Sequence, residues 1–176
     1  MQKINMTNGI VESTKPNFCR YDLIDKVLDI YHPEFRFVKD IHHNKNEFIA
    51  NIIVDKYPYT RHEMFSYVTG PSLTLIVGQV AYVYTASMIS KNEKNELNDI
   101  SLEKYLYLRD QEKLVFGHLE FKFKKKIPTN SMFKMTMKLE ASKRMKSFIY
   151  GRFSFEVPGY LNGSTNFVMG LEHEEL

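Results

Sequence analysis

The stretch VTGPSLTLIVGQVAYVYTAS, residues 68–87, decides the fold of this chain. It contains no charged residue, although 26% of the whole chain is charged. The apolar run is long for a strand and has no strong turn signal after Pro71, so its length predicts a helix from Pro71 to Ile89. Pro71 suits the first turn of a helix, where a missing N–H breaks no hydrogen bond, and Thr69 or Gly70 is the expected N-cap.

This predicted helix is apolar on nearly every side, which is typical of a helix buried in a protein interior. A membrane span needs about 20 predominantly apolar residues. Here the run is interrupted by five polar residues, and no second candidate follows. They are Thr69, Ser72, Thr74, Gln79 and Thr85. We therefore expect a core helix and no membrane span.

The length of 176 residues indicates one domain with a substantial core. We expect a polar lead-in over residues 1–19, without the apolar segment of a secretory signal, and a single domain over residues 20–176. The net charge of +3 is too small to indicate a nucleic-acid partner. A single cysteine, Cys19, excludes an intramolecular disulfide and fits a reducing, cytoplasmic setting.

The residues before the core helix predict a short helix and a hairpin. Apolar residues recur at helical spacing after residue 20, and Pro33 is expected to end that helix. FRFVKDI and EFIANIIVDKY read as two strands, joined by a turn at HHNKN that includes His42 and His43. After the core helix comes a charged loop, and Ser101 is the expected cap of another short helix.

The last third of the chain alternates apolar and polar residues. The runs are HLEFKFKKKI, MFKMTMKLEA, FIYGRFSFEV and the shorter STNFVMGLE. A period of two with one polar face predicts an antiparallel sheet that is covered on one side. The connectors PTNS, SKRMKS and PGYLNG have hairpin length, which predicts a meander.

This order of elements fits one α+β architecture, the hotdog fold, in which a curved antiparallel sheet wraps around a long central apolar helix. A helix that a sheet encloses on most sides must be apolar on most sides. Such a protomer leaves one sheet edge open. We therefore expect a homodimer or higher homo-oligomer with a continuous sheet.

An ordered set of segments resembles the FcoT-type fatty acyl-CoA thioesterases, a hotdog branch, from about residue 31 to residue 172. The segments are YPYTR, LTLIVGQVAY, NELNDISLEKYLYLRDQ and FKFKKKIP. The resemblance implies that tyrosines and asparagines hydrolyse thioesters of long acyl chains with coenzyme A. It also implies an acyl tunnel between protomers. The family's tyrosines correspond to Tyr31 and Tyr59, whereas its two asparagines fall on Thr69 and Gly78 and are absent here.

Thioester hydrolysis needs a fixed electrophile, an oriented water and stabilisation of the oxyanion. The start of the core helix offers free N–H groups, and because Pro71 has none, we expect Ser72 and Leu73 to supply them. The alternative is that Thr69 or water simply caps these groups. Gln79, an amide deep in the apolar helix, is expected either to bond the neighbouring loop or to orient water.

The loop before the core helix carries the candidates for a general base. His62 or Glu63 could orient or deprotonate water near neutral pH, and Tyr59 and Tyr67 could bond the thioester carbonyl or close the tunnel. The alternative is a solvated polar loop. The core helix carries no acid, which argues against dehydration because that reaction needs an acid and a base.

The site prediction can be stated residue by residue. The predicted catalytic residues are Tyr59, His62, Glu63 and Thr69. The predicted substrate contacts are Tyr31, Tyr67, Gly70, Ser72, Leu73 and Gln79. No metal-ligand spacing is present, and we expect no cofactor other than the coenzyme A or phosphopantetheine of the substrate itself.

The prediction for function is an acyl thioesterase acting on medium or long-chain acyl-CoA or acyl-carrier-protein thioesters. Lysines in KFKKKIP and SKRMKS are either solvated residues at strand ends or contacts for coenzyme A phosphates or an acidic carrier protein. Two alternatives stay open. One is a dehydratase-like or acyltransferase hotdog enzyme of a lipid or polyketide pathway, and the other is a non-catalytic acyl-thioester-binding protein.

Overall fold

The computed structural model describes residues 20–43, 47–55, 66–91, 96–97, 99–129 and 131–171. Three α-helices and one 3-10 turn are present in this part of the chain. They are α1 (Arg20–Val27), the 3-10 turn (Pro33–Phe35), α2 (Gly70–Ser90) and α3 (Leu102–Asp110). Six strands complete it: β1 (Val38–His43), β2 (Phe48–Ile52), β3 (Leu114–Phe123), β4 (Phe133–Arg144), β5 (Phe148–Val157) and β6 (Leu161–Gly170).

The six strands form one antiparallel sheet in the order β1-β2-β4-β5-β6-β3. The long helix α2 lies in the core with this sheet, and its bounds agree with the predicted helix to within one residue at each end. Its length and hydropathy would suffice to cross a membrane, but 78% of its most apolar window is buried inside the fold. The predicted α+β hotdog architecture is therefore confirmed.

The predicted meander is right for β4, β5 and β6 and wrong for β3. β3 does not pair with β4; it pairs with β6 at the far edge of the sheet. The segment between β3 and β4 is not a hairpin turn, because it hydrogen-bonds to the residues that lead into α2. The Val68 N–H donates to the Ile127 carbonyl at 2.8 Å, and the Thr129 N–H donates to the Ser66 carbonyl at 3.1 Å.

Two predicted turns are also strand in the structure. His42 and His43 extend β1, opposite Ile49 and Phe48 of β2, because the His43 ring packs against buried aromatic rings. Residues 142–144, predicted within a connector, extend β4 to its pair at Arg144 and Ile149. The predicted β1–β2 hairpin itself is confirmed.

The short helices differ in how well their ends were predicted. α1 stops at Val27, well before Pro33, because the Arg109 side chain binds its last carbonyl groups. α3 starts as predicted, with the Ser101 hydroxyl accepting a hydrogen bond from the Lys104 N–H at 3.1 Å.

Candidate functional site

The start of α2 presents free backbone donors, although not the pair that was predicted. Thr69 is the N-cap, but its hydroxyl contacts the Ser72 hydroxyl at 3.1 Å and caps no backbone N–H. The Leu73 N–H donates to the Thr69 carbonyl at 2.9 Å, so the prediction of Leu73 as a donor is wrong. Within the described ranges, the N–H groups of Gly70 and Ser72 have no hydrogen-bond partner. Gly70 lies at the positive end of the helix dipole, whereas Ser72 is fully buried.

A cleft of about 490 Å³ lies against this helix start and has a basic wall. We call it the helix-start cleft. Residues 67–70 line one side, and residues 123–126 line the other with three consecutive lysines. The Lys126 ammonium lies 4.6 Å from the centre of the Tyr67 ring. The cleft therefore combines lysine charge, an aromatic ring and the free N–H group of Gly70, which suits an anionic ligand.

The backbone of the basic wall is held in place from both ends. The N–H groups of Lys124 and Lys125 donate to the Tyr160 carbonyl at 2.6 and 3.1 Å. At the other end, Tyr67 forms a bridge with Pro128. The backbone of these lysines is therefore fixed by hydrogen bonds. As a result, the fold itself positions their positive charge beside the start of α2.

One side of α2 is partly exposed to solvent, and we call it the open face. It consists of the partly or fully exposed residues Pro71, Thr74, Leu75, Gly78 and Tyr82. β3 runs alongside this face in the opposite direction. A Cβ atom at Gly70 would lie 3.7 Å from the Phe121 ring, and one at Gly78 would lie 3.9 Å from the Phe116 ring. An apolar surface therefore leads from the helix-start cleft along α2.

The structure places four of the predicted site residues together at the helix start: Tyr67, Thr69, Gly70 and Ser72. Leu73 lies beneath them and is fully buried. Three predicted catalytic residues, Tyr59, His62 and Glu63, lie outside the described residues.

Gln79 is far from the cleft and has a different set of partners. Its side-chain oxygen accepts a hydrogen bond from the Phe37 N–H, and its side-chain nitrogen donates to the Phe35 carbonyl at 2.6 Å. Of the two predicted roles for this amide, the structure shows the bond to the neighbouring loop.

Tyr31 lies in a second polar cluster, which the sequence did not reveal. Burial and the neighbouring Tyr82 hydroxyl raise the pKa of Tyr31, and burial raises the pKa of Tyr82. Arg109 is close enough to oppose both shifts. No local sequence signal links Tyr31 to Tyr82, because the two residues are far apart in the chain.

His43 forms a further buried polar contact at the other end of α2. Its Nδ1 atom lies 3.1 Å from the Ser87 hydroxyl, and burial together with Lys91 lowers the pKa of His43 to about 4. No three His, Cys, Asp or Glu side chains gather into a possible metal site within the described part of the chain.

An antiparallel sheet around one long apolar helix defines the hotdog class. Solved structures of this class are similar. Zebrafish thioesterase superfamily member 2 has a TM-score of 0.52 and 8% identity, covering 89% of this chain and 100% of its own. A protein from Silicibacter sp. TM1040, assigned as a thioesterase, has a TM-score of 0.50 and 14% identity, covering 92% and 97%.

Because the sequence identities are only 14% and 8%, these similarities support the fold and not a function. No protein-family model matches the sequence, and no curated protein is similar to it.

Proposed function

We propose that the chain is an acyl thioesterase that hydrolyses medium or long-chain acyl esters of coenzyme A or of carrier-protein phosphopantetheine. One observation carries this proposal: the helix-start cleft joins a basic wall to an apolar surface. An acyl thioester has the same two parts, because a fatty chain is linked to a carrier that bears phosphate. A ligand with only a fatty chain would not contact the basic wall, and a ligand with only a phosphate would not contact the apolar surface.

We place the acyl chain, the thioester and the phosphates of the substrate on three successive parts of this surface. The acyl chain would lie along the open face of α2, beside the aromatic side chains of β3. The thioester oxygen would lie at the free N–H group of Gly70, which would stabilise the oxyanion of the tetrahedral intermediate. The side chains of Lys124, Lys125 and Lys126 would contact the carrier's phosphates.

In the proposed reaction, a water oxygen bonds to the carbonyl carbon, and the carbon–sulfur bond then breaks. The water gives up its proton, and the leaving thiolate takes up a proton to become a free thiol. Tyr59, His62 and Glu63 remain our candidates for orienting or deprotonating this water. In the sequence, His62 and Glu63 precede Tyr67 by five and four positions.

We also propose a homodimer formed through β3. Among the described strands, β3 is an edge strand of ten residues that pairs only with β6. It exposes 55% of Val115 and 38% of Phe123. The other edge strand, β1, has six residues and a bulge, which makes it a poorer template for pairing.

The experiment is an assay of free-thiol release from a series of acyl-CoA esters of increasing chain length. The Lys124→Ala/Lys125→Ala/Lys126→Ala variant should raise KM for acyl-CoA about tenfold or more. It should leave the hydrolysis of acyl N-acetylcysteamine esters, which carry no phosphate, unchanged. Lys134→Ala, on another strand, is the matched control. If the protein bound acyl-CoA and released no thiol from any ester, it would be an acyl-thioester-binding protein and the proposal would be wrong.

A further inference from the structure

One end of the sheet brings together lysines and exposed apolar side chains, and we call it the basic end. Because neighbouring strands are antiparallel, β3 ends where β6 begins, and β4 begins where β5 ends. The end of β3, the turn between β5 and β6, and the start of β4 therefore lie at the same end of the sheet. The exposed lysines of the basic end are Lys122, Lys124, Lys125, Lys126 and Lys134.

The fold does not neutralise the charge of these lysines. None of them forms an ion pair with an acid in the described part of the chain, and Lys126 contacts the Tyr67 ring instead. Two exposed acids, Asp55 and Glu156, lie at the same end of the sheet. Glu156 acts on the charge of Lys138, farther along β4. The basic end therefore presents positive charge to a partner of the opposite sign.

Apolar side chains are exposed among these lysines. Met132 is 58% exposed just before β4. The turn between β5 and β6 consists of the exposed Pro158 and Gly159 and the half-buried Tyr160. The Tyr160 carbonyl accepts hydrogen bonds from the N–H groups of Lys124 and Lys125, so this turn is fixed against the lysines. Tyrosine and lysine together are typical of protein surfaces at the boundary between a lipid layer and water.

A layer of anionic lipid suits both parts of this surface. Its phosphates attract the lysine ammonium groups, and its acyl region accepts an exposed apolar side chain. It also imposes no fixed geometry, which suits five lysines on flexible stems that lack an ion-pair partner in the described residues. An acidic protein would match the charge of the lysines but would have to supply a separate apolar contact for Met132.

We propose that the basic end docks on an anionic lipid surface, with the lysines at the phosphates and Met132 in the acyl region. The helix-start cleft is lined by residues 123–126 of this end, so docking would bring the cleft to the lipid. The inference goes beyond the proposed reaction and does not depend on it, because docking requires no turnover.

The opposite end of the sheet supplies a matched control. The turn between β4 and β5 carries Met145, which is 43% exposed and lies between basic residues. β4 has 12 residues, so at about 3.3 Å per residue the two ends are roughly 40 Å apart. Arg144 of this opposite end pairs with Asp99 at 3.4 Å, which neutralises part of its charge.

A single tryptophan measures insertion into lipid, because the chain has no tryptophan of its own. Met132→Trp and Met145→Trp variants are mixed with vesicles of phosphatidylcholine and phosphatidylglycerol in equal parts, or of phosphatidylcholine alone. We expect a blue shift of fluorescence for Met132→Trp with the anionic vesicles only, and none for Met145→Trp. An unshifted Met132→Trp spectrum, or equal shifts in the two variants, would overturn the inference.

Co-sedimentation with the same anionic vesicles tests the lysines. Lys122→Ala/Lys134→Ala should weaken vesicle binding about 30-fold, since each lysine near an anionic surface contributes about fivefold. Lys143→Ala/Lys146→Ala, at the opposite end, should change it little. Raising the salt concentration should release the wild type, because the attraction is screened. Equal losses in the two double variants would show an attraction without a defined surface and would contradict the inference.

These experiments separate docking from the proposed reaction. Thiol release from dissolved acyl-CoA without vesicles should be unchanged in Lys122→Ala/Lys134→Ala, because neither lysine lines the cleft. A protein that binds the vesicles through Met132 and releases no thiol would contradict the proposed function and support docking. A protein that releases thiol, and binds an acidic acyl carrier protein but no vesicles, would overturn docking and leave the proposed function standing.

Discussion

The side-chain oxygen of Gln79 accepts a hydrogen bond from the backbone N–H of Phe37 at 2.9 Å. Gln79 is fully buried in the middle of α2, and Phe37 lies just before β1. The same amide also donates to the Phe35 carbonyl. One side chain therefore ties the central helix to the first edge of the sheet and satisfies two backbone groups that β-pairing does not reach.

Gln79→Ala should destabilise the fold by about 2–4 kcal/mol, because both backbone groups lose their partner in the interior. Gln79→Glu should also destabilise it, because the donor to Phe35 is lost and a buried carboxylate is introduced. Urea unfolding measures both changes. Gln111→Ala, at the exposed end of α3, is the control and should cost less than about 0.5 kcal/mol. Equal effects at the two positions would contradict this account.

Arg109→Lys should lower the free energy of unfolding by about 2–3 kcal/mol despite retaining the charge. The guanidinium is buried and contacts Asp29, Asp110 and the last carbonyls of α1 at once, which an ammonium cannot do. Thermal unfolding measures the change. Arg144→Lys, at an exposed site with longer contacts, should be close to neutral. A neutral Arg109→Lys variant would show that α1 does not depend on this contact.

His43 should make the fold sensitive to mild acid. Its pKa is lowered to about 4 in the folded state, against about 6.5 for an unperturbed histidine. Above pH 6.5 the ring is neutral in both states, so it causes no pH dependence. Between pH 6.5 and 4 the unfolded chain binds the proton first, so stability falls as the pH falls. The loss should be about 1–2 kcal/mol, allowing for partial exposure of the ring.

His43→Gln isolates this contribution, since carboxyl groups elsewhere titrate in both proteins. The difference in unfolding free energy between the wild type and the variant should change between pH 7 and pH 4, in favour of the variant. Chemical denaturation at a series of pH values measures it. A constant difference would mean that the folded ring titrates normally.

Gly163→Ala should weaken the pairing of β3 with β6. A Cβ atom at Gly163 would collide with the Glu120 carbonyl of β3 and with the Phe155 ring. The strands would have to move apart, at a cost of about 3 kcal/mol. Gly117→Ala has no heavy atom within 4 Å of the added carbon and should be tolerated. Unfolding experiments on the two variants compare them directly, and equal stability would be inconsistent with the β3–β6 contact.

The central helix was predictable because its two signals are local. The apolar run is too long for a strand, and its apolar residues on every side indicated burial. The observed bounds of α2 agree with the sequence prediction to within one residue at each end. The cap at Ser101 was predictable for the same reason, because the hydrogen bond spans three residues. Local rules could also predict the β1–β2 hairpin, since its strands are adjacent in the chain.

The position of β3 was not predictable from local patterns. Its alternation is that of an ordinary strand, and a connector of turn-forming residues follows it. The strand order depends instead on long-range hydrogen bonds, such as that from Val68 to Ile127. The same limit applied to the polar cluster of Tyr31 and Tyr82, because these residues are far apart in the chain. Tyr59, His62 and Glu63 stay predictions.

The most direct test of the central claim is hydrolysis of an acyl-CoA in water enriched in oxygen-18, followed by mass spectrometry of the products. The proposed reaction forms a bond between a water oxygen and the carbonyl carbon. We therefore predict free coenzyme A and a fatty acid that carries one oxygen-18 atom in its carboxyl group, and no such product from the Gly70→Val variant. An unaltered acyl-CoA, or an enoyl product from a 3-hydroxyacyl ester without labelled acid, would contradict the claim.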